Sequence, residues 1–209
     1  TDRTGRSVEI LAADLTDAQG IARVERVLKT DASITMFVNN AGIAATAPLL
    51  GSDIDQMERM IALNVNVPTR LAYAVAPAFA ARGTGTIVNI ASIVALAPEL
   101  LNGVYGGSKA YVLAFSQSLQ HELADKGVRV QAVLPGATAT DLWENAGTSL
   151  STLPQDIVMS ADDMVDAALA GLEQGELVTI PSLPDISDWN AFERARKALG
   201  PSLSRSYQS

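Results

Sequence analysis

Short, nearly unbroken apolar runs recur along the chain at residues 8–13, 34–39, 85–90, 128–134 and 177–180. Runs of this length that do not alternate with polar residues are the pattern of strands buried on both faces of a parallel sheet. Longer stretches with helical spacing lie between them, at 17–29, 53–81, 103–126, 161–173 and 186–199. Asp14 or Thr16 is placed to cap the first of these. Ser160, ahead of Ala161-Asp162-Asp163, forms a cap with acid in the first turn. Strand and helix in alternation predict right-handed crossovers. The fold class expected is therefore α/β, a doubly wound parallel sheet with helices on both faces. No repeat, low-complexity tract or linker interrupts the 209 residues, so the chain reads as one domain. Ligands of such sheets bind beyond the carboxyl ends of the strands. Residues 39–42, Ser92 and residues 135–140 all follow an apolar run, which places them in one cleft.

Composition narrows the classes. Apolar residues make up 48% of the chain and charged residues 18%, a globular balance. The net charge of −8 offers no basic patch for nucleic acid or an anionic membrane. With no cysteine there is no disulfide, thiol catalysis or thiolate metal site. The single histidine, His121, excludes a histidine metal cluster, and it reads as a surface or helix-packing residue rather than the base of a Ser-His-Asp device. No signal pattern and no membrane-length apolar run occurs, and a cytoplasmic location is the expectation.

The candidate chemistry is Tyr105-Gly106-Gly107-Ser108-Lys109, with Ser92 thirteen residues upstream of the tyrosine. Positions i and i+4 share a helix face, so phenol and ammonium point the same way. An adjacent ammonium favours phenolate, and the tyrosine pKa is expected to fall toward neutrality. Such a tyrosine can exchange a proton with a carbonyl or alcohol oxygen, which a serine at a strand end can hold. The same spacing also suits an ordinary amphipathic helix start. Gly106-Gly107 is costly in a first turn; either a close backbone approach or an unremarkable turn explains it.

Ser92, Tyr105 and Lys109 resemble the catalytic set of the short-chain dehydrogenases/reductases. Further motifs follow in the family's order. Asp14-Leu15 resembles the acidic turn after the third strand, and Asn39-Asn40-Ala41-Gly42 the signature after the fourth. Asn64, in Leu63-Asn64-Val65, resembles the helix asparagine. Gly85-Thr86-Ile87-Val88-Asn89-Ile90-Ala91-Ser92 is similar to the fifth strand with its serine, and Pro135-Gly136-Ala137-Thr138-Ala139-Thr140 to the segment after the sixth. Ala91 and Ala95 are mild departures.

The resemblance implies an oxidoreductase that interconverts a ketone or aldehyde and an alcohol with NAD or NADP. Tyr105 would be general acid or base, Ser92 would bind the substrate oxygen, and Lys109 would hold the nicotinamide ribose. Asn64 would hold a relay water; its blander reading is a satisfied polar group at a helix kink near Pro68. Asp14 and Leu15 would contact adenine, and Asn40, Ala41 and Gly42 the adenosine side. Pro135, Thr138 and Thr140 would contact the nicotinamide carboxamide and the diphosphate, unless the threonines only cap the next helix. Leu142-Trp143-Glu144 and residues 145–154 resemble the mobile substrate loop, with Val94, Leu142 and Trp143 against a moderately hydrophobic small molecule. Trp143 could instead pack the loop to the domain. The family pairs through helices equivalent to 53–81 and 103–126, so a homodimer or homotetramer is expected.

One departure stands out. Neither Gly-x-x-x-Gly-x-Gly nor Gly-x-Gly-x-x-Gly occurs in the 209 residues, and Thr1-Asp2-Arg3-Thr4-Gly5 resembles the loop before the third strand. The first β-α-β-α unit, with the phosphate turn and the residue that separates NAD from NADP, is not in this sequence. Either a longer protein supplies it, or the chain is a non-catalytic binding or scaffold protein. A sheet without those strands would expose an apolar edge.

Overall fold

The structure, a computed structural model, describes residues 5–204; the stretch Thr1 to Thr4 lies outside the described residues. Strands β1 (Met36–Asn39), β2 (Gly85–Ile90), β3 (Val128–Val133) and β4 (Val178–Thr179) form a parallel sheet in the order β1-β2-β3-β4. The helices are α1 (Ala18–Thr30), α2 (Ile54–Ile61), α3 (Val67–Arg82), α4 (Gly103–Leu123), α5 (Leu142–Asn145), α6 (Ala161–Glu173) and α7 (Ile186–Ala198).

Successive side chains of a strand point to opposite faces, and the central strands use both. Ile87 and Val130 pack with Leu28 of α1, Leu71, Val75 and Phe79 of α3, and Leu119 of α4. Val88 and Val133 pack on the other side with Ala168 and Leu172 of α6. Gln131 faces that same side, its amide donating to Ala168 O and Thr179 Oγ1, both at 2.8 Å. Helices thus cover both faces, which is why these strands read as continuous apolar runs.

The apolar run at 8–13 is not a strand. Val8, Ile10 and Leu11 are 69%, 91% and 48% exposed, and the run joins no ladder among the described residues. A parallel strand exists only through its neighbours' backbone groups, and β1 pairs with β2 on one side alone. Met36 and Val38 of that edge are accordingly half-exposed.

The helix expected over 53–81 is interrupted. A π-helical turn, Ala62–Asn66, joins α2 to α3, with Val67 N bonded to Ala62 O. Pro68 has no N–H to return to the carbonyl of Asn64, its α-helical partner, so the ladder slips there. The cap of α1 also differs from expectation: Asp17, not Asp14 or Thr16, accepts from Gly20 N at 2.7 Å. Asp14 instead accepts from Thr16 N and Oγ1. Ser160 caps α6 as expected, through Asp163 N at 3.0 Å. No helix among the described residues is long and apolar enough to cross a membrane.

Candidate active site

The carboxyl ends of the strands are locked before the site begins. Asn39 Nδ2 donates to Asn89 Oδ1 at 2.9 Å, and Asn89 Nδ2 to Ser116 Oγ of α4 at 2.9 Å. Two residues past β2, Ser92 opens a short 3-10 turn, Ile93–Ala95. Its hydroxyl accepts from Val94 N and donates to Pro135 O, both at 3.4 Å. Asn102 caps α4, accepting from Val104 N at 2.9 Å and Tyr105 N at 3.4 Å. Tyr105 therefore sits in the first turn of α4, with its phenol beside the Ser92 hydroxyl.

One turn on, the Lys109 ammonium lies 5.8 Å from the Tyr105 ring centroid and donates to Ile90 O at 2.9 Å. Both groups are buried. Burial pushes the Tyr105 pKa up from its ordinary value, and the neighbouring Ser92 hydroxyl only partly opposes it. This corrects the expectation that Lys109 draws the phenol toward neutrality. The ammonium is directed at a backbone carbonyl and faces the ring, and desolvation of a phenolate dominates. Burial also lowers Lys109, from 10.5 to about 8. The resting state is thus a protonated phenol beside a cation that gives up its proton more readily than a solvated lysine.

Asn64 is buried in the π-helical turn. Its amide donates to Ile43 O at 2.8 Å and Ser108 Oγ at 3.1 Å, and its oxygen accepts from Ile43 N at 3.0 Å. The side chain is the satisfied polar group at a kink. Gly42 fits against it: a Cβ there would lie 3.1 Å from Asn64 Oδ1 and 3.7 Å from Lys109 Nζ. Gly106 also has a packing reason, since a Cβ would meet Pro98 at 3.0 Å, whereas Gly107 faces open space.

The structure brings Gly42, Asn64, Ser92, Tyr105 and Lys109 together. Asp14, Asn40, Ala41 and Thr140 are exposed, and Pro135 joins the group only through its carbonyl. Leu15 packs into the α1–α3 core. Thr138 bonds Gly136 O and caps nothing. Val94 is turned into the cluster of Met57, Met60 and Tyr105. Trp143 ties its loop to the domain, its indole N–H donating to Thr138 O at 3.0 Å, and Leu142 beside it is half-buried. His121 is exposed, as expected. Sequence reasoning missed Asn102, which a reading of Asn102-Gly103 as a helix start would have found. It also missed Ser108 and Ser116, whose partners are distant in the chain.

A parallel α/β sheet with this serine, tyrosine and lysine at its carboxyl edge is a Rossmann-like oxidoreductase scaffold. The chain belongs to the short chain dehydrogenase family, whose profile matches residues 1–150. It is similar to a short-chain dehydrogenase from Sphingobium yanoikuyae in complex with NADPH, at 47% identity and a TM-score of 0.93 over 100% of this chain and 80% of that one. It is also similar to the bulky-bulky ketone specific alcohol dehydrogenase of Comamonas testosteroni, at 41% identity and a TM-score of 0.88 over 100% of this chain and 79% of that one. The NADPH-dependent 1-acyldihydroxyacetone phosphate reductase of Schizosaccharomyces pombe is 33% identical over 141 residues, which are 66% of this chain and 47% of that enzyme. The chain thus spans about half the length of that reductase.

Proposed function

We propose that this chain carries the reaction centre of a nicotinamide-dependent oxidoreductase that interconverts a ketone or aldehyde and an alcohol. The observation that carries this reading is that Ser92, Tyr105 and Lys109 are buried together past the carboxyl end of β2, with the ammonium 5.8 Å from the Tyr105 ring centroid. Ser92 holds the substrate oxygen, and Tyr105, protonated at rest, donates to it during reduction and accepts from it during oxidation. Lys109 resupplies the phenol, helped by the backbone of Asn64.

NADP or NAD is the cofactor, and the NADPH named for the Sphingobium and Schizosaccharomyces relatives favours the phosphorylated form. The donor set suits a ribose diol: an ammonium and a phenol one turn apart, beneath a glycine that keeps the approach over Lys109 clear. Asn40 and Ala41, exposed just past β1, and the exposed Asp14 and Thr140 are assigned to the rest of the dinucleotide, with Gly42, Pro135 and Thr138 nearer the nicotinamide. When bound, the nicotinamide supplies or accepts the hydride. The 209 residues hold no glycine-rich phosphate turn, so no pyrophosphate cradle of that kind is assigned to them.

Leu142 and Trp143 favour an apolar substrate, and the Comamonas relative's name suggests a bulky ketone. Residues 1–209 act as one domain, and α3 with α4 would pair copies of the chain. The test is Tyr105→Phe, assayed by NADPH absorbance against a panel of aryl ketones. A loss of about a hundredfold or more in kcat is expected for removal of a general acid; a fully active variant overturns the assignment.

A further inference from the structure

The segment after β1 is clamped at two points by buried asparagines. At Ile43, the Asn64 side chain bonds both backbone groups, at 2.8 and 3.0 Å. At Ala47, the carbonyl accepts from Asn102 Nδ2 at 2.7 Å. Between the clamps, Ala44 and Ala45 pack against the cluster that contains Tyr105. Both clamping residues also serve the site: Asn102 caps the helix that presents Tyr105, and Asn64 abuts Gly42 beside Lys109.

Thr46 stands on this rigid rail, and its hydroxyl reaches a distant part of the chain. It donates to Ala146 O at 3.2 Å and accepts from Thr148 Oγ1 at 2.8 Å, across 100 and 102 residues of sequence. Residues 146–148 lie in the 141–157 loop, none of whose residues is buried. The loop is rooted at one end by Trp143 on Thr138 O, and just past its other end by Met159, which exchanges backbone bonds with Ala137 and Ala139. Thr46 bridges its middle to the rail.

From this we propose that Thr46 and Thr148 form a latch. Thr46 is a positioning residue that holds the 141–157 loop against the wall of the Ser92–Tyr105 centre, so that a carbonyl or alcohol substrate is retained there. The inference rests on the reading of that centre given above. The latch is built from neutral hydroxyl and carbonyl groups, so its grip does not follow pH or salt. Two net hydrogen bonds shift a closing equilibrium by about tenfold.

Thr46→Val keeps the side-chain shape and removes both bonds, Thr148→Val removes one, and Thr148→Ser keeps it. Limited proteolysis of the free protein reports the loop without needing activity, and ketone reduction with NADPH separates KM from kcat. Thr46→Val should be cut within 141–157 about tenfold faster and show a KM raised about tenfold, with kcat changed less than threefold. Thr148→Ser should behave as the parent. Should Thr46→Val fail to fold, Thr148→Val, on the half-buried loop, must show the same changes at smaller size. An unchanged cleavage rate overturns the latch, as does a Thr148→Ser as defective as Thr148→Val. Faster cleavage with an unchanged KM overturns its role in retaining substrate. A parent protein that reduces no ketone overturns the proposed function and with it substrate retention, while the proteolysis arm still decides whether the latch exists.

Discussion

Lys109→Met should make this protein more stable while disabling its proposed chemistry. The ammonium is buried, and its pKa falls from 10.5 to about 8. At about 1.4 kcal/mol for each tenfold change in proton affinity, the fold works against the charged form by about 3 kcal/mol. Methionine fills a similar volume without charge. It forfeits the bond to Ile90 O, which costs about 1 kcal/mol, so a net gain of about 2 kcal/mol is expected at pH 7. The sign is checked by pH. Between 8 and 10.5 the unfolded lysine still holds its proton while the folded one has released it, so raising the pH through that window stabilises the parent protein. Its stability should climb by about 1.4 kcal/mol per pH unit above 8, and the variant's lead should close. Urea denaturation of both proteins at pH 7, 8.5 and 9.5, below the range where exposed tyrosines ionise, measures this directly. A variant less stable than the parent at pH 7, or a gap that does not change with pH, would refute the reasoning.

Other outcomes follow from the same geometry. Asn64→Ala removes the three hydrogen bonds of a buried amide and should cost about 1–3 kcal/mol in urea denaturation. The two glycines Gly127 and Gly107 should respond with opposite signs. Gly127 has φ 71° and a Cβ there would lie 2.2 Å from Gly83 O, so Gly127→Ala should destabilise by more than about 1 kcal/mol. Gly107→Ala, in a helical turn facing open space, should stabilise by about 0.5–1 kcal/mol, and thermal denaturation of both reads the contrast.

The central strands were legible because burial on both faces leaves a mark in the sequence: Ile87 and Val88 serve opposite faces, so no polar residue alternates between them. The run at 8–13 carries the same mark yet lies exposed, because a strand is a relation between backbones and its neighbours are not encoded in its own residues. The 53–81 stretch shows a similar limit. Its apolar spacing is helical throughout, and Pro68 is visible in it, but whether the ladder kinks, breaks or slips into a π turn depends on what the Asn64 side chain finds to bond.

By itself the sequence determined the α/β alternation, the placing of Ser92 and the 135–140 segment at strand ends, and Tyr105 and Lys109 on one face of α4, all consequences of local periodicity. Only the tertiary structure decided the electrostatics of that pair. Spacing brings phenol and ammonium near each other, but burial, to which α2 and the 3-10 turn after Ser92 contribute, raises one pKa and lowers the other. Desolvation is a property of everything packed around a group, and no motif of five residues contains it.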